Sequence, residues 1–243
     1  SVDNQLNVLR NVTMQGIIAF GMTMIIISGE IDLSVGSGVA FAGCVTAWVT
    51  RALTDITGPY FAIAVGTLCA MILLFGIGVI TGKLRQHFQM PTLITTLGLL
   101  TVLSGAANLI TGGFPITSFP REFSFLGSGF LWGIPFPVYV FAAVFLFVYF
   151  LMNYTSFGRA LYAVGGNLEA ARLSGIDVWK TKTLAFGITG VFTAIAGVLI
   201  ASQILSGSAT AARGWELDVI SAVVIGGTSI FGGKGRIHGT LVG

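Results

Sequence analysis

Three carboxylates stand where a carboxylate is costly. Asp32, Glu216 and Asp218 each lie at or within the border of an apolar run. An ionisable group at membrane depth marks function by default unless something caps or pairs it. Two readings stand for each of the aspartates. In the first, Asp32 with Ser34 caps the helix that follows, and Asp218 caps or braces the helix it begins. In the second, these groups line a path for a polar solute. Other chemistry finds no residues. His87 and His238 are the only histidines and lie far apart in sequence, so a His-based metal site is not expected. No Gly-x-Ser-x-Gly elbow and no Cys/His pair prepares a nucleophile. The stretch from Gly226 to Gly235 looks like a phosphate-binding loop, which needs Gly, four residues, Gly-Lys and then Ser or Thr. Here Thr228 stands five before Gly233, and Lys234 is followed by Gly235. The chain thus reads as no enzyme, with no cofactor, no metal and no nucleotide site of its own.

The elements that must position these groups are membrane helices. Hydrophobic residues make up 54% of the 243 and charged residues 9%, where a soluble domain carries about 25% charged. The net charge of +3 does not call for nucleic acid, because the basic residues sit in loops between apolar runs. Seven spans are expected, over 11–28, 35–50, 60–80, 91–111, 136–152, 183–205 and 217–231, each about the length a bilayer needs. The second and last are short and flanked by glycine, so broken or partial helices are an alternative there. If the first span runs inward, the inner loops hold Lys83, Arg85, Arg159, Arg172, Lys180, Lys182, Lys234 and Arg236. The outer side then holds Arg10, Arg51, Arg121 and Arg213, and the excess inside supports that choice. It puts Asp32 near the inner side and Glu216 and Asp218 near the outer side, so a solute site shared by all three is not expected. Cys44 and Cys69 lie in apolar runs and read as free thiols. Residues 112–135, rich in proline and glycine, read as a loop with at most a short helix. Ser1 is no initiator methionine, and Leu241-Val242-Gly243 reads as the start of a further helix. Both ends are expected to be incomplete.

Residues 156–182 form a polar island holding Arg159, Arg172, Lys180 and Lys182. Within it Asn167 is a good N-cap, Glu169 falls in the first turn, and Gly175 is a natural stop. That predicts a helix of about seven residues, roughly 10 Å long. So short a helix is marginal alone in water, and it reads either as a docking element or as a solvated linker.

Glu169-Ala170-Ala171, three residues and Gly175 match the core of the coupling loop of ABC importer permeases. Gly29-Glu30-Ile31-Asp32-Leu33-Ser34-Val35-Gly36-Ser37 resembles the Gly-Gly-Ile-Asp-Leu-Ser-Val-Gly-Ser segment of the monosaccharide permeases. Trp215-Glu216-Leu217-Asp218, with Gly232-Gly233-Lys234-Gly235-Arg236, resembles their Tyr-Glu-Leu-Asp segment and following turn, and Gly158-Arg159 and Gly165-Gly166-Asn167 fit as well. The chain therefore resembles a ribose-type ABC importer permease, of the branched-chain amino acid/ribose permease superfamily. The resemblance implies an all-α polytopic transmembrane bundle, with residues 1–243 a single permease domain and 153–182 its cytoplasmic coupling loop. It implies Glu169, Ala170, Ala171, Gly175, Arg159 and Arg172 at the ATPase contact, and Asp32, Ser34, Glu216 and Asp218 as pathway or structural polar groups. It implies separate cytosolic ATPase subunits, an extracytoplasmic sugar-binding protein, a second permease chain and a bacterial inner membrane. The expected solute is a monosaccharide or sugar-like molecule, autoinducer-2-like furanosyl compounds included. The alternatives are a branched-chain amino-acid permease and an ATP-independent carrier. The chain departs from the pattern at Glu30, where the family has Gly, and at Trp215, where it has Tyr. The Ile-x-Leu-Pro ending of other importers' coupling loops is absent.

Overall fold

The computed structural model describes residues 2–117 and 119–243. Among the described residues, six helices are long and apolar enough to cross a bilayer: α1 (Val2–Ile27), α2 (Val35–Thr57), α3 (Pro59–Phe88), α4 (Thr92–Thr111), α6 (Phe136–Tyr154) and α9 (Val178–Ile204). Between α4 and α6 lie a short α5 (Ser124–Ser128) and a hairpin of β1 (Phe130–Leu131) and β2 (Ile134–Pro135). Trp132 and Gly133 turn that hairpin with φ of 49° and 80°, the left-handed pair a tight two-residue turn requires. Beyond α6 stand α7 (Ser156–Gly166) and α8 (Leu168–Leu173), and beyond α9 stand α10 (Trp215–Ile225) and α11 (Ile237–Val242).

Sequence patterning explains the layers. The second half of α1 is apolar all round, and residues 17–28 are all buried, as a central helix requires. Phe20 of α1 meets Phe141 and Phe145 of α6 with ring centroids at 5.1 and 5.5 Å. α9 packs along α1, α2 and α3. Its crossing with α3 is closed by small residues. A Cβ on Gly78 would strike the Phe186 carbonyl, one on Gly82 would strike Thr183, and one on Gly190 would strike the Leu74 carbonyl. Small residues let membrane helices bring their backbones together. The outer faces of α3, α4 and α6 expose Leu68, Ile72, Leu97, Val102, Leu146 and Phe150, an apolar exterior suited to lipid.

Six of the seven expected spans are thus long helices, and α2 is unbroken. The seventh differs. The run expected over 217–231 is the eleven-residue α10, about 16 Å long and half a bilayer deep. Gly227, Gly232 and Gly233 beyond it have φ of 87°, 85° and 71°, so the chain turns there instead of continuing the helix. Cys44 and Cys69 are free thiols, Cys44 buried and Cys69 half-buried.

Candidate coupling face and solute pathway

α7 and α8 form a rigid polar corner at one end of the bundle. Thr155 caps α7 by accepting from the Gly158 N–H at 3.3 Å. Asn167 ends α7 and begins α8, its Oδ1 accepting from the Ala170 N–H at 2.9 Å. At the other end of α8 the Ile176 N–H donates to the Ala171 carbonyl and the Gly175 N–H to the Arg172 carbonyl. With Gly175 at φ 79°, this is the paired-bond stop that glycine permits. Ala171 and Ile176 pack with Val164 of α7 and Val178 of α9, which fastens the short helix to both neighbours. Replacing Asn167 by Ala is expected to cost about 1 kcal/mol of local helix stability, read as faster amide hydrogen exchange at Ala170 and Ala171.

The exposed side of α8 carries Glu169, Ala170, Arg172 and Leu173. Glu169 and Arg172 pair at 3.2 Å, each complementing its own end of the helix dipole. Arg159 lies on α7, exposed, with its guanidinium donating to Ser156 Oγ at 3.2 Å. Ala171 departs from the expectation. It is 3% exposed, turned inward against Val164 and Val178, so it holds the helix in place and offers nothing outward. Leu173, 82% exposed, is the large apolar side chain on that outward side, and the sequence did not single it out.

α7 itself is keyed into the bundle by the glycine turn that follows α10. A Cβ on Gly165 would overlap the Ile27 carbonyl and the Gly233 N–H. The Gly233 N–H donates to Ile27 O at 2.8 Å, and the Tyr162 hydroxyl donates to Gly235 O at 2.9 Å. The stretch that looks like a phosphate loop is therefore the seat of α7.

Beside this corner lies a buried charge cluster that the sequence did not announce. Glu30, in the turn between α1 and α2, is 4% exposed. Lys182 of α9 donates to it at 2.5 Å, Arg85 of α3 pairs with it, and the Thr92 hydroxyl of α4 donates to it. Trp179 lies over the Arg85 guanidinium, 5.5 Å from ring centroid to Cζ, close enough for a cation–π contact. One carboxylate thus joins the end of α3 and the start of α4 to the root of α9, at Lys182, six residues beyond Ile176 in the turn that ends α8.

Deeper in the bundle the chain twice breaks its helices. α3 has 30 residues against 23 in the antiparallel α2, so α2 begins about 10 Å short of the far end of α3. Asp32 builds the turn into it. Its Oδ1 accepts from the Ser34 N–H at 2.8 Å and the Ser34 hydroxyl at 2.6 Å, while Ser37 Oγ donates to Ser34 O at 2.8 Å. The second break follows α9. Gly207 pairs with Ile116 at the outer end of the bundle and lies against Gly43 and Ala47 of α2. Residues 205–214 then run back along α2 until the Ala212 carbonyl and the Glu216 carboxylate both abut Gly36.

That descent corrects the expected placing of Glu216. The span count assumed a surface loop before the last helix, but the unwound segment returns the chain to the level of Gly36 before α10 starts. Asp218 does not cap α10, whose N-cap is Gly214. It accepts from Gln15 Nε2 of α1 at 3.3 Å and braces α10 there. The three carboxylates do not share one site. Asp32 lies in a narrow cleft with Thr81 and Thr193, Glu216 lines a neighbouring cavity of about 230 Å³, and Asp218 faces α1. No cluster of three or more His, Cys, Asp or Glu suited to a metal occurs among the described residues.

The sequence pattern of a family described as "Branched-chain amino acid transport system / permease component" matches residues 4–243. The chain belongs to that permease family. The permease is similar to the ribose import permease of Haemophilus influenzae, 41% identical over all of this chain and 74% of that one. The ribose import permease of Bacillus subtilis is 40% identical over 99% of this chain and 73% of its own. The L-arabinose transport system permease of Escherichia coli is 36% identical over 96% and 69%. No solved structure matches. With six apolar helices and an apolar exterior, the permease is a multi-pass membrane protein.

Proposed function

We propose that the permease forms the membrane pathway of an ATP-driven ABC importer for a monosaccharide or a sugar-like solute. The observation that carries this reading is α8: a helix of six residues, capped at both ends, docked on α7 and α9, with a charged and apolar face turned outward. A polar element so stiffened, on a protein otherwise suited to lipid, fits a partner in the cytosol. Relatives named for ribose and L-arabinose import support the solute class, and the excess of basic residues puts the α7–α8 end inside.

Two permease chains, two cytosolic ATPase subunits and an extracytoplasmic binding protein then share the work in a bacterial inner membrane. Residues 153–182 act as the coupling loop. Glu169, Ala170, Arg172 and Leu173 meet the ATPase, Ala171 and Gly175 keep the helix shape, and Arg159 flanks the contact. ATP drives the cycle only if the ATPase dimer binds one permease conformation more tightly than the other. α8 passes that preference on through α9, against which it packs and whose Lys182 holds the Glu30 cluster.

Leu173→Asp tests this. A charge at the most exposed apolar position of α8 is expected to lower co-purification of the ATPase subunit at least about tenfold, a loss of about 1.4 kcal/mol. The permease should remain folded and in the membrane, because the side chain touches little of its own chain. Unchanged recovery of the ATPase with both Leu173→Asp and Glu169→Arg would remove α8 from the contact.

A further inference from the structure

We infer that the cavity between the start of α2, the middle of α4 and the unwound segment 205–214 is a hydrated binding station for a polyhydroxylated solute, with Glu216 and Arg213 as its charged pair. This rests on the import reading and names where in the chain the solute is held.

Depth comes first. Thr92 of α4 meets Glu30, while Leu100 and Ser104 of α4 share the cavity with Gly36 and Ala40 of α2. Leu100 is eight residues beyond Thr92, about 12 Å further into the bundle. The cavity therefore lies near mid-membrane and extends along α4 to Asn108 on the outer side.

Hydration follows from the backbone. Irregular chain at membrane depth is tolerated only where it is buried in protein or lines a water-filled space. Segment 205–214 is not fully buried, and Thr210 and Arg213 in it are exposed. An arginine at that depth cannot rest in lipid and faces a cavity or a partner charge. Neither Arg213 nor Glu216 has an ion-pair partner among the described residues. Both line the same cavity, with Ser37, Ser104 and Asn108 beside them.

Chemistry then names the class. A guanidinium fork donates to two adjacent oxygens, a carboxylate accepts from two adjacent hydroxyls, and an amide does one of each. Vicinal diols answer that set; the ammonium and carboxylate of an amino acid would answer its two charged groups as well, and it is the likeness to ribose and L-arabinose import permeases that favours the sugar. At about 230 Å³ the cavity has room for several waters or for one small polar solute. α10, the half-helix whose first turn carries Glu216, starts at the cavity wall, as discontinuous helices do where membrane transporters hold solutes.

The test uses the assembled importer in proteoliposomes, with Cys44→Ala and Cys69→Ala as background. Thr210→Cys is placed in the cavity, and Leu109→Cys serves as control, exposed on α4 beside Asn108 but outside the cavity. A charged, membrane-impermeant thiol reagent is expected to modify Thr210→Cys at least tenfold faster than Leu109→Cys. Millimolar D-ribose or L-arabinose is expected to slow that reaction threefold or more, and leucine to leave it unchanged. Adding Glu216→Gln should raise the sugar concentration for half-protection about tenfold. A Thr210→Cys as unreactive as the control would mean a dry contact, as with a second permease chain, and would overturn the inference. So would full reactivity without protection by a sugar that the same importer carries, or protection by leucine alone. An importer that carries no sugar at all would instead sink the import reading, whatever the labelling.

Discussion

Glu30→Gln is expected to destabilise the permease by about 3–5 kcal/mol, the cost of leaving buried charges without their counterion. Glu30 is the only acid that Lys182 and Arg85 pair with among the described residues. Lys182 is 5% exposed. Without the carboxylate, two cations face each other, Lys182 buried and Arg85 only 17% exposed. Breaking such a cluster costs more than never having it, because the remaining charges keep their desolvation penalty and lose the attraction that offset it. The triple substitution Glu30→Gln, Lys182→Met, Arg85→Met is therefore expected to recover most of the loss. Thermal unfolding in one detergent, followed for wild type, single and triple variants, reads both numbers. A single substitution as stable as wild type would show that the cluster is hydrated and screened, in disagreement with its burial.

Gly165→Ala has the second large effect. The added methyl meets backbone, the Ile27 carbonyl and the Gly233 N–H, and neither can turn aside as a side chain would. Overpacking of this kind costs about 1–3 kcal/mol and more where backbone must shift. The shift has one direction open to it, with α7 moving off the bundle and taking α8 along. Gly166→Ala is the matched control. It is the next residue, exposed, with nothing within 4 Å of a new Cβ and no positive φ. Gly165→Ala should lose stability and ATPase recruitment together, while Gly166→Ala leaves both as they were. Equal behaviour of the two would separate α7 from the seat formed by Ile27 and Gly233.

The legible part of the sequence was the part written in local patterns. Apolar runs of bilayer length gave six helices, and Asn167, Glu169 and Gly175 gave α8 with its caps, because a cap is chemistry within four residues. The Glu30 cluster was hidden by distance. Its partners stand 152, 62 and 55 residues away in the chain, and only Glu30's departure from glycine hinted that a charge there needed company. A further hint lay in Lys182, one residue before the expected span and buried inside α9. Segment 205–214 was hidden for another reason. Its polar residues read as a surface loop, since hydropathy reports preference for water and not which water, that of the outer surface or that of a cavity. The same confusion placed Glu216 outside, when the descent sets it against Gly36. Ala171 was expected at the contact from the resemblance alone, whereas on a helix of six residues one alanine faces outward and the next faces in.

The most direct test is transport itself. The permease is reconstituted in liposomes with its ATPase and binding-protein partners, and ATP-dependent sugar uptake is measured. Uptake against a gradient is expected, requiring internal ATP and a loaded binding protein and falling at least about tenfold with Leu173→Asp, matching the lost contact energy. Sugar movement down its gradient at the same rate without ATP, binding protein or ATPase subunit would contradict it and make the permease a carrier in its own right.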